Sequence, residues 1–280
     1  MVVYAKDLAI KIKKEVAKQV AYLRRPPVLS IILVGNDPAS EIYVRNKTKD
    51  CLDCNIICKE YRLAAEVSTT AILDLIFQLN NDKTVDGILV QLPLPSHIDS
   101  DKVISSIKAG KDVDCFNSMN VGKLYLGREG LRPCTPSGVM AYLEENQIDL
   151  EGKNCVVIGR SNIVGKPVAA MLTEKNATVT LCHSKTKNLE FYTKNADVIV
   201  CAVGKAKFLT ADMVKDGCVI VDVGINKNED GKLCGDVDFE EVSKKASLIS
   251  PVPGGIGLLT RACLMRNVAE AARIHQGTIR

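Results

Sequence analysis

The sequence contains few of the residues from which histidine-based or metal-based active sites are built. Its 280 residues include three histidines, which lie too far apart along the chain to suggest a cluster: His97, His183 and His275. Cys51, Cys54 and Cys58 resemble half of a zinc site, but no second pair follows at the spacing typical of zinc ligands. We therefore expect neither a catalytic histidine nor a bound metal.

The sequence also lacks runs of like charge and long apolar segments. The formal net charge is +4 and aromatic residues make up 4%, and basic residues alternate with acidic ones instead of forming basic patches. This pattern argues against nucleic-acid binding. Lys6 and Asp7 interrupt any signal-peptide core, and no apolar run approaches the length of a membrane span. We expect a soluble cytoplasmic protein with no membrane or nucleic-acid partner.

The eleven cysteines do not form the pattern of a disulfide framework. Their number is odd, and they are scattered through predicted strands and helices of a chain that shows no secretory signal. Disulfides persist mainly in oxidising compartments. We therefore expect reduced thiols with a structural role.

The sequence does contain an alternation of short β-branched runs with amphipathic segments, which predicts parallel sheets covered by helices. The predicted strands are residues 28–34, 87–90, 155–158, 178–182, 198–202, 219–223 and 248–250, and the predicted helices are 6–23, 39–54, 69–80 and 137–146. Residues 105–136 are rich in Gly, Asn and Pro, which predicts a linker. The length suits two domains, which we place at residues 1–138 and 139–259.

A glycine-bearing turn follows the predicted strand at 155–158. Gly159 permits a tight turn, Gly165 permits close packing of a helix on the strand, and the N-terminus of that helix offers N–H groups to a pyrophosphate. Ser161 stands where the usual G-x-G-x-x-G pattern has its second glycine, and Gly165 comes one residue late. The turn therefore predicts a Rossmann-type dinucleotide site, with a plain strand-to-helix turn as the alternative.

The next strand favours NADP over NAD. Folds specific for NAD usually place an acidic residue about 20 residues after the glycine turn, against the ribose 2′-hydroxyl. This chain has His183, Ser184 and Lys185 there instead. Arg160 and Ser184 can donate hydrogen bonds to a 2′-phosphate, and Lys185 either assists them or is a solvated surface residue.

The other half of the chain predicts a helix that carries an aromatic ring and an amine on one face. Asp37 is a plausible N-cap with Pro38 at the first helical position. Tyr43 and Lys47 then stand four residues apart, so both side chains can point into one cleft. A packed Tyr beside a solvated Lys is the alternative for this pair taken alone.

Two further segments bring polar groups to sheet edges in the same half. A buried strand delivers Gln91 into a loop stiffened by Pro93 and Pro95, and a separate loop delivers the carboxylates of Asp112 and Asp114. Ligands of open α/β sheets lie at the carboxyl ends of the strands. The presence of these polar groups in the same half of the chain favours a functional cleft that contains Tyr43 and Lys47 over a packed Tyr beside a solvated Lys.

On these residues the chain resembles the bifunctional methylenetetrahydrofolate dehydrogenase/methenyltetrahydrofolate cyclohydrolase family over essentially its whole length. The matching segments occur in the family's order: Leu33-Val34-Gly35 with Tyr43-x-x-x-Lys47, Asp86 to Pro95, Lys111 to Asp114, Pro133-Cys-Thr-Pro136, Gly159-Arg-Ser161 with Val164-Gly165, Cys182-His-Ser184, and Pro251-Val-Pro-Gly-Gly255. The resemblance implies an N-terminal α/β catalytic domain, a Rossmann-type NADP-binding domain, and a last helix, 260–280, that packs back on the catalytic domain.

The resemblance also implies roles for individual residues. Lys47 would be the central catalytic residue, with Gln91 as its hydrogen-bonding and pKa-tuning partner. Tyr43 would stack on the folate, and Asp114 would hold the pterin ring. The residues implied to contact NADP are Gly159, Arg160, Ser161, Gly165, Ser184 and Ile225, and those implied to line the substrate site are Pro251, Gly254, Gly255 and Thr260. The resemblance further implies a homodimer.

Two segments depart from the family's pattern. The chain has Cys115 after Asp114 where the family commonly has Gly, and Gly257-Leu258-Leu259-Thr260 where it commonly has Gly-Pro-Met-Thr. We expect both to border the folate pocket and both activities to persist.

Two alternatives remain. One is an oxidoreductase similar to shikimate dehydrogenase, which also couples a Lys-bearing α/β domain to an NADP domain, although no local motif supports it. The other is a noncatalytic NADP-sensing module. The joint presence of Tyr43, Lys47, Gln91 and Asp114 argues against the second.

Overall fold

The computed structural model describes residues 1–277 and divides into two compact units, each built on a parallel β-sheet. We call residues 10–134 and 261–277 the first unit, and residues 1–9 and 135–260 the second unit. The predicted α/β class with parallel sheets is confirmed. The functional boundaries at residues 138 and 259 stay a prediction, and the compact units differ from them mainly by assigning residues 1–9 to the second unit.

The helices and strands alternate along most of the chain. The helices are α1 (Lys6–Val20), α2 (Pro38–Asp53), α3 (Thr69–Asn81), α4 (Ser100–Ser105), α5 (Ser118–Tyr125), α6 (Cys134–Glu145), α7 (Gly165–Glu174), α8 (Leu189–Thr193), α9 (Phe239–Val242) and α10 (Ile256–Gln276). The strands are β1 (Val28–Val34), β2 (Ile57–Leu63), β3 (Gly87–Val90), β4 (Asn154–Ile158), β5 (Thr178–Cys182), β6 (Val198–Cys201), β7 (Val219–Asp222), β8 (Asn226–Lys227), β9 (Leu233–Cys234) and β10 (Leu248–Ile249). Within residues 1–277, no helix has the length and apolar character needed to cross a membrane.

The first unit contains a parallel sheet in the order β2-β1-β3. The central strand β1 has the sequence VLSIILV and is buried at every position, as expected when both faces of a parallel sheet are covered. Ile72 and Ile76 of α3 share a core cluster with Ile32 and Ile88 of the sheet. Since β2 and β3 lie on opposite sides of β1, the direction of strand addition reverses between β1 and β3. Such a switch point leaves a crevice for a ligand at the carboxyl ends of the two strands.

The second unit repeats this arrangement in a larger parallel sheet, with the order β10-β7-β6-β4-β5. Strand β5 pairs with one side of β4, and β6 pairs with the other side. The direction of strand addition therefore reverses, and the switch point lies between β4 and β6. The start of the chain extends the opposite edge, because Val2 bridges Ile249 and the Val3 N–H donates to the Ile249 carbonyl at 3.1 Å. This pairing explains why residues 1–9 belong to the second unit.

Three elements of the first unit differ from the sequence-based prediction, and one of them, the short helix α4, has no predicted counterpart. The edge strand β2 has no predicted counterpart, because its sequence ICKEYRL is largely polar and all of its residues are exposed or half-buried. The prediction of residues 105–136 as a linker is wrong in part, because α5 lies within it. Asn117 caps α5 by accepting a hydrogen bond from the Met119 N–H at 2.9 Å. The other predicted strands and helices are present, with small differences at their ends.

A buried carboxylate fixes the amino ends of β1 and β3. Asp86 accepts hydrogen bonds from the Val28 N–H at 2.9 Å and from two guanidinium nitrogens of Arg25 at 2.7 and 3.1 Å. Gln276 donates to both Asp86 oxygens at 3.2 Å, and the ring of His275 lies 3.7 Å away. Burial raises the pKa of Asp86, but the hydrogen bonds outweigh this effect and hold the pKa below its ordinary value.

Replacing Asp86 with Ala should lower the free energy of unfolding by about 3 kcal/mol at neutral pH, because the Val28 N–H and Arg25 lose their acceptor. A carboxyl whose pKa is lower in the folded state stabilises the fold above its unfolded pKa of about 3.9 and loses this effect as the pH falls below it. The difference between Asp86→Ala and wild type should therefore shrink as the pH falls below about 4. Denaturant unfolding at each pH measures this, with the exposed Asp74→Ala as control. An equally large difference at neutral and acidic pH would contradict this account of Asp86.

Candidate active site

Lys47 and Gln91 meet at the switch point of the first unit. Lys47 lies on α2, which follows β1, and Gln91 is the first residue after β3. The Lys47 Nζ donates a hydrogen bond to the Gln91 Oε1 at 2.9 Å, while the Gln91 Nε2 donates to the Leu92 carbonyl oxygen at 2.6 Å. The second hydrogen bond fixes the orientation of the amide, so its oxygen faces the amine. The structure thus brings two of the predicted site residues into direct contact.

The start of α2 sets the direction of Tyr43 and Lys47. As predicted, Asp37 is the N-cap and accepts a hydrogen bond from the Ser40 N–H at 2.8 Å, with Pro38 in the first turn. Tyr43 and Lys47 are half-buried and lie one turn apart. Burial raises the pKa of Tyr43, so its hydroxyl stays protonated over the physiological range. The helix therefore presents a neutral phenol and an amine on the same face.

A braced loop carries Asp114 in the first unit. The Ile88 N–H donates to the Lys111 carbonyl oxygen at 2.7 Å, so the segment that begins at Lys111 lies along β3. The buried Asp112 accepts hydrogen bonds from the Asn117 N–H at 2.8 Å and from the Asn120 side chain at 3.0 Å. Burial raises the pKa of Asp112 to about 6, and these hydrogen bonds oppose the shift. The buried Asp112 thus stabilises the loop by its hydrogen bonds to Asn117 and Asn120.

Asn267 is a brace of the same loop that the sequence-based reasoning misses. Its Nδ2 donates hydrogen bonds to the Val113 carbonyl oxygen at 2.7 Å and to the Arg132 carbonyl oxygen at 2.8 Å. The Cys134 thiol donates to the same Val113 oxygen at 3.3 Å. These contacts fasten the residue before Asp114 to α10 and to the start of α6. No motif marks an Asn within a helix for such a role.

The charges of Lys47 and Asp114 both act on the buried thiol of Cys134. Burial raises the pKa of Cys134, Asp114 raises it further, and Lys47 lowers it. The three side chains therefore lie in one region of the first unit. Cys115, beside Asp114, has a φ of 61°, the left-handed conformation that glycine favours. The loop thus keeps a glycine-type backbone at the position where the family commonly has Gly.

A second missed contact lies beside Tyr43. The Arg261 Nη1 is 3.2 Å from the Asp50 Oδ2, and the Lys13 Nζ is 2.8 Å from the Asp50 Oδ1. The guanidinium of Arg261 also lowers the pKa of Tyr43 against the larger effect of burial. Asp50 follows Lys47 by three positions on α2, so helical spacing places it on a neighbouring part of the same face. The three-residue spacing from Lys47 is the feature of the sequence that could have predicted a place for Asp50 near this site.

The predicted glycine turn forms at the switch point of the second unit. Gly159 follows β4 with a φ of 119°, and a Cβ at this position would overlap the Ala202 carbonyl oxygen in the loop after β6. The Ser161 Oγ accepts hydrogen bonds from the Val164 N–H at 3.1 Å and the Gly165 N–H at 3.3 Å, where α7 begins. A close-packed glycine turn that leads into a helix N-terminus fits a dinucleotide pyrophosphate.

The predicted partners of a 2′-phosphate lie on neighbouring loops of this unit. Arg160 and Ser161 are exposed after β4, and Ser184 and Lys185 are exposed after β5. The last residues of these two strands are paired, and the Gly159 N–H donates to the Cys182 carbonyl oxygen at 2.9 Å. The two loops therefore leave the same edge of the sheet.

The remaining predicted residues of the second unit follow strands at the same edge or begin α10. Ile225 follows β7 and is 51% exposed, while Pro251 and Gly255 are buried after β10. The Gly254 carbonyl oxygen accepts a hydrogen bond from the Ala5 N–H at 2.9 Å. Thr260 donates to the Ile256 carbonyl oxygen at 3.1 Å within α10. Their predicted contacts with NADP and substrate stay predictions.

Three of the cysteines, Cys51, Cys54 and Cys58, lie at the end of α2 and in β2, and the absence of a bound metal stays a prediction. Across the part of the chain that the structure describes, no group of three or more His, Cys, Asp or Glu side chains could hold a metal ion. Cys51 and Cys54 are buried and Cys58 is half-buried. Contact with Cys51 lowers the pKa of Cys58 to about 7 against the effect of burial.

A cavity of about 440 Å³ in the second unit lies near the ends of α6 and α7, and none of the predicted site residues line it.

Comparison with known proteins decides what these two sites belong to. The model of the tetrahydrofolate dehydrogenase/cyclohydrolase catalytic domain matches residues 3–114, and the model of the NAD(P)-binding domain of the same family matches residues 133–276. The chain belongs to the tetrahydrofolate dehydrogenase/cyclohydrolase family. It is 51% identical over 274 residues to the bifunctional protein FolD of Ruminiclostridium cellulolyticum, covering 97% of this chain and 96% of that protein.

Solved structures of family members have the same fold. The bifunctional FolD of Campylobacter jejuni is 50% identical, with a TM-score of 0.96 over 98% of this chain and 99% of that chain. The Trypanosoma brucei FolD, solved with NADP and an inhibitor, is 35% identical, with a TM-score of 0.93 over 98% of this chain and 97% of that chain. The predicted family, the bifunctional enzyme class and the binding of a nicotinamide dinucleotide are therefore confirmed.

Shikimate dehydrogenase, the first alternative, is similar to this chain only in fold. A shikimate dehydrogenase from Aquifex aeolicus is 15% identical, with a TM-score of 0.54 over 90% of this chain and 93% of that chain. The family models and the close relatives favour the dehydrogenase/cyclohydrolase over this enzyme and over a noncatalytic sensor.

Gly159→Ala should weaken both the fold of the second unit and its affinity for dinucleotide, because the new methyl group would push apart the loops after β4 and β6. Gly152→Ala is the matched control. Gly152 also has a positive φ, 68°, but a Cβ there meets no atom within 4 Å. The control should lose only about 1 kcal/mol of stability from its backbone conformation. Thermal unfolding and NADP titration measure both effects, and equal behaviour of the two variants would refute the proposed steric role of Gly159.

Proposed function

We propose that this protein oxidises 5,10-methylenetetrahydrofolate to 5,10-methenyltetrahydrofolate with NADP and hydrolyses that product to 10-formyltetrahydrofolate. The observation that carries the proposal is the hydrogen bond between Lys47 and Gln91 at the switch point of the first unit, 2.9 Å long. The glycine turn of the second unit supports the use of a dinucleotide.

In the oxidation, the protein contributes mainly orientation. NADP, when bound, accepts the hydride from the one-carbon bridge, and the residues of the chain hold the two reactants in place. We propose that the half-buried ring of Tyr43 stacks on the folate. Asp114 would accept hydrogen bonds from the pterin, and the braces at Asp112 and Asn267 suit a carboxylate that must keep a fixed position.

In the hydrolysis, the protein has to move protons. Water adds to the cationic methenyl carbon and loses a proton. The ring nitrogen then gains a proton as its bond to that carbon breaks, and the hydroxyl loses its proton as the C=O of the formyl group forms. The amine of Lys47 can carry these protons as a general acid and base. Gln91 suits this role because an amide orients the amine without the negative charge by which a carboxylate would hold it as an ammonium ion.

We also propose that NADP is preferred to NAD. Arg160 and Ser184 are exposed on adjacent loops, and no acidic residue stands where NAD-specific folds place one against the 2′-hydroxyl. The Trypanosoma brucei relative was solved with NADP. A homodimer, which the family resemblance implies, and a cytoplasmic location, which the sequence pattern favours, remain proposals, and light scattering of the purified protein tests the first of them.

One set of assays tests the function. The purified protein is incubated with methylenetetrahydrofolate and either NADP or NAD, and with NADP and shikimate, while reduced cofactor and methenyl and formyl products are followed by absorbance. We expect turnover of the folate with NADP, formation of the formyl product above the uncatalysed rate, and no turnover of shikimate. Accumulation of the methenyl compound without hydrolysis would overturn the second activity. Equal efficiency with NAD would overturn the cofactor preference.

Lys47→Met should separate the two activities. The variant keeps much of the apolar stem but removes the amine, so hydrolysis should fall by roughly 10² to 10⁴-fold. The dehydrogenase should fall less, because hydride transfer needs alignment and not proton transfer. Each step is measured separately, with thermal unfolding as a check of folding and with Lys49→Met, an exposed position on the same helix, as control. Wild-type hydrolysis by Lys47→Met would remove Lys47 from the mechanism.

A further inference from the structure

The loop after β6 wraps around a carboxylate of the protein itself. Asp236 is fully buried and accepts hydrogen bonds from three successive backbone N–H groups, those of Val203 at 2.6 Å, Gly204 at 2.9 Å and Lys205 at 2.9 Å. Successive N–H groups that converge in this way form a nest, an arrangement that commonly binds anions such as phosphate. Because Asp236 fills the nest, this loop is held in shape without a ligand.

A second buried carboxylate joins this loop to the next one along the sheet. Asp222, at the end of β7, accepts hydrogen bonds from the Gly224 N–H and the Asp236 N–H, each at 2.9 Å. The Asn226 Nδ2 donates to the Asp236 Oδ1 at 2.8 Å. Residues 203–205 and 224–226 are therefore both hydrogen-bonded to this pair of buried carboxylates.

These two loops lie where a dinucleotide reaches the second unit. The switch point of the sheet is between β4 and β6, and ligands of such sheets bind in the crevice at that point. The loop after β6 borders the crevice, and its Ala202 packs against Gly159 of the glycine turn. Ile225 is exposed between Gly224 and Asn226, the two residues that Asp222 and Asp236 hold.

We propose that Asp236 is a positioning residue for the dinucleotide, acting with Asp222 to hold the loops after β6 and β7 in the shape that the bound cofactor requires. Affinity for NADP would then depend on a carboxylate that does not touch it. The inference rests on the proposed function for the identity of the dinucleotide and otherwise on the contacts of the loops.

The number of donors explains why a carboxylate is needed. Four N–H groups point at Asp236, three from the loop and one from Asn226, and an ionised carboxylate can accept from all of them. An Asn side chain offers one acceptor oxygen and two N–H donors, so part of the nest would face donors instead of an acceptor. Asp236→Asn should therefore loosen the loop while changing the side-chain volume little.

The test is an equilibrium titration of the full-length protein with NADP, which needs neither folate nor turnover. Asp236→Asn should raise the Kd for NADP by roughly 10- to 100-fold, the loss expected when buried N–H groups that shape a binding loop lose a charged acceptor. Asp197→Asn is the matched control. Asp197 also accepts a backbone hydrogen bond, from the Asn154 N–H at 2.9 Å, but at the amino end of β4. The control should keep the wild-type Kd.

A milder variant and a second readout keep the proposal falsifiable. Asn226→Ala removes one of the four donors, and it should raise the Kd several-fold even if Asp236→Asn does not fold. Hydrolysis of methenyltetrahydrofolate uses no dinucleotide, so it should lose less than NADP binding in both variants. Wild-type Kd in the folded variants, or proportional losses of NADP binding and hydrolysis, would overturn the positioning role. Failure of the wild-type protein to bind NADP would instead overturn the proposed function together with this inference.

Discussion

The contact between the Lys47 amine and the Gln91 amide is the interaction on which the chemistry proposed for the first unit depends. It joins the helix after β1 to the loop after β3, across the point where the order of the sheet reverses. The N-cap at Asp37 sets where α2 begins, and the hydrogen bond to the Leu92 carbonyl sets which atom of the amide faces the amine. In the proposed mechanism, a neutral amide orients the amine without the negative charge of a carboxylate, and hydrolysis needs proton transfer whereas hydride transfer does not.

Both units place their functional groups at the same topological position and fix them by the same means. Each sheet reverses its strand order beside its first strand. The predicted catalytic residues Lys47 and Gln91 follow the two strands at this point in the first unit, and the predicted glycine turn from Gly159 follows β4 at this point in the second. Buried carboxylates then hold the loop backbones: Asp112 in the first unit, and Asp222 and Asp236 in the second. Rigid loops of this kind suit an enzyme whose protein part mainly orients its reactants.

The sequence-based predictions succeed where a residue's role follows from local pattern. The buried runs of β1 and β3, the cap at Asp37 and the spacing of Tyr43 and Lys47 are all visible in short windows. The edge strand β2 lacks an apolar face, and α5 lies in a segment rich in Gly and Asn, so pattern analysis misses both. Asn267 and Asp236 act on backbone groups far away in sequence, and only the folded chain shows which groups those are.

We propose that a neutral partner at Gln91 lets the Lys47 amine carry protons during hydrolysis. The most direct test is the pH profile of the cyclohydrolase step in Gln91→Glu, measured beside the dehydrogenase step of the same variant. A carboxylate in contact with the amine would hold it protonated. We expect hydrolysis near neutral pH to fall by at least about 10-fold and to recover as the pH rises, with a smaller loss of dehydrogenase activity. Hydrolysis with the wild-type rate and the wild-type pH profile would contradict it.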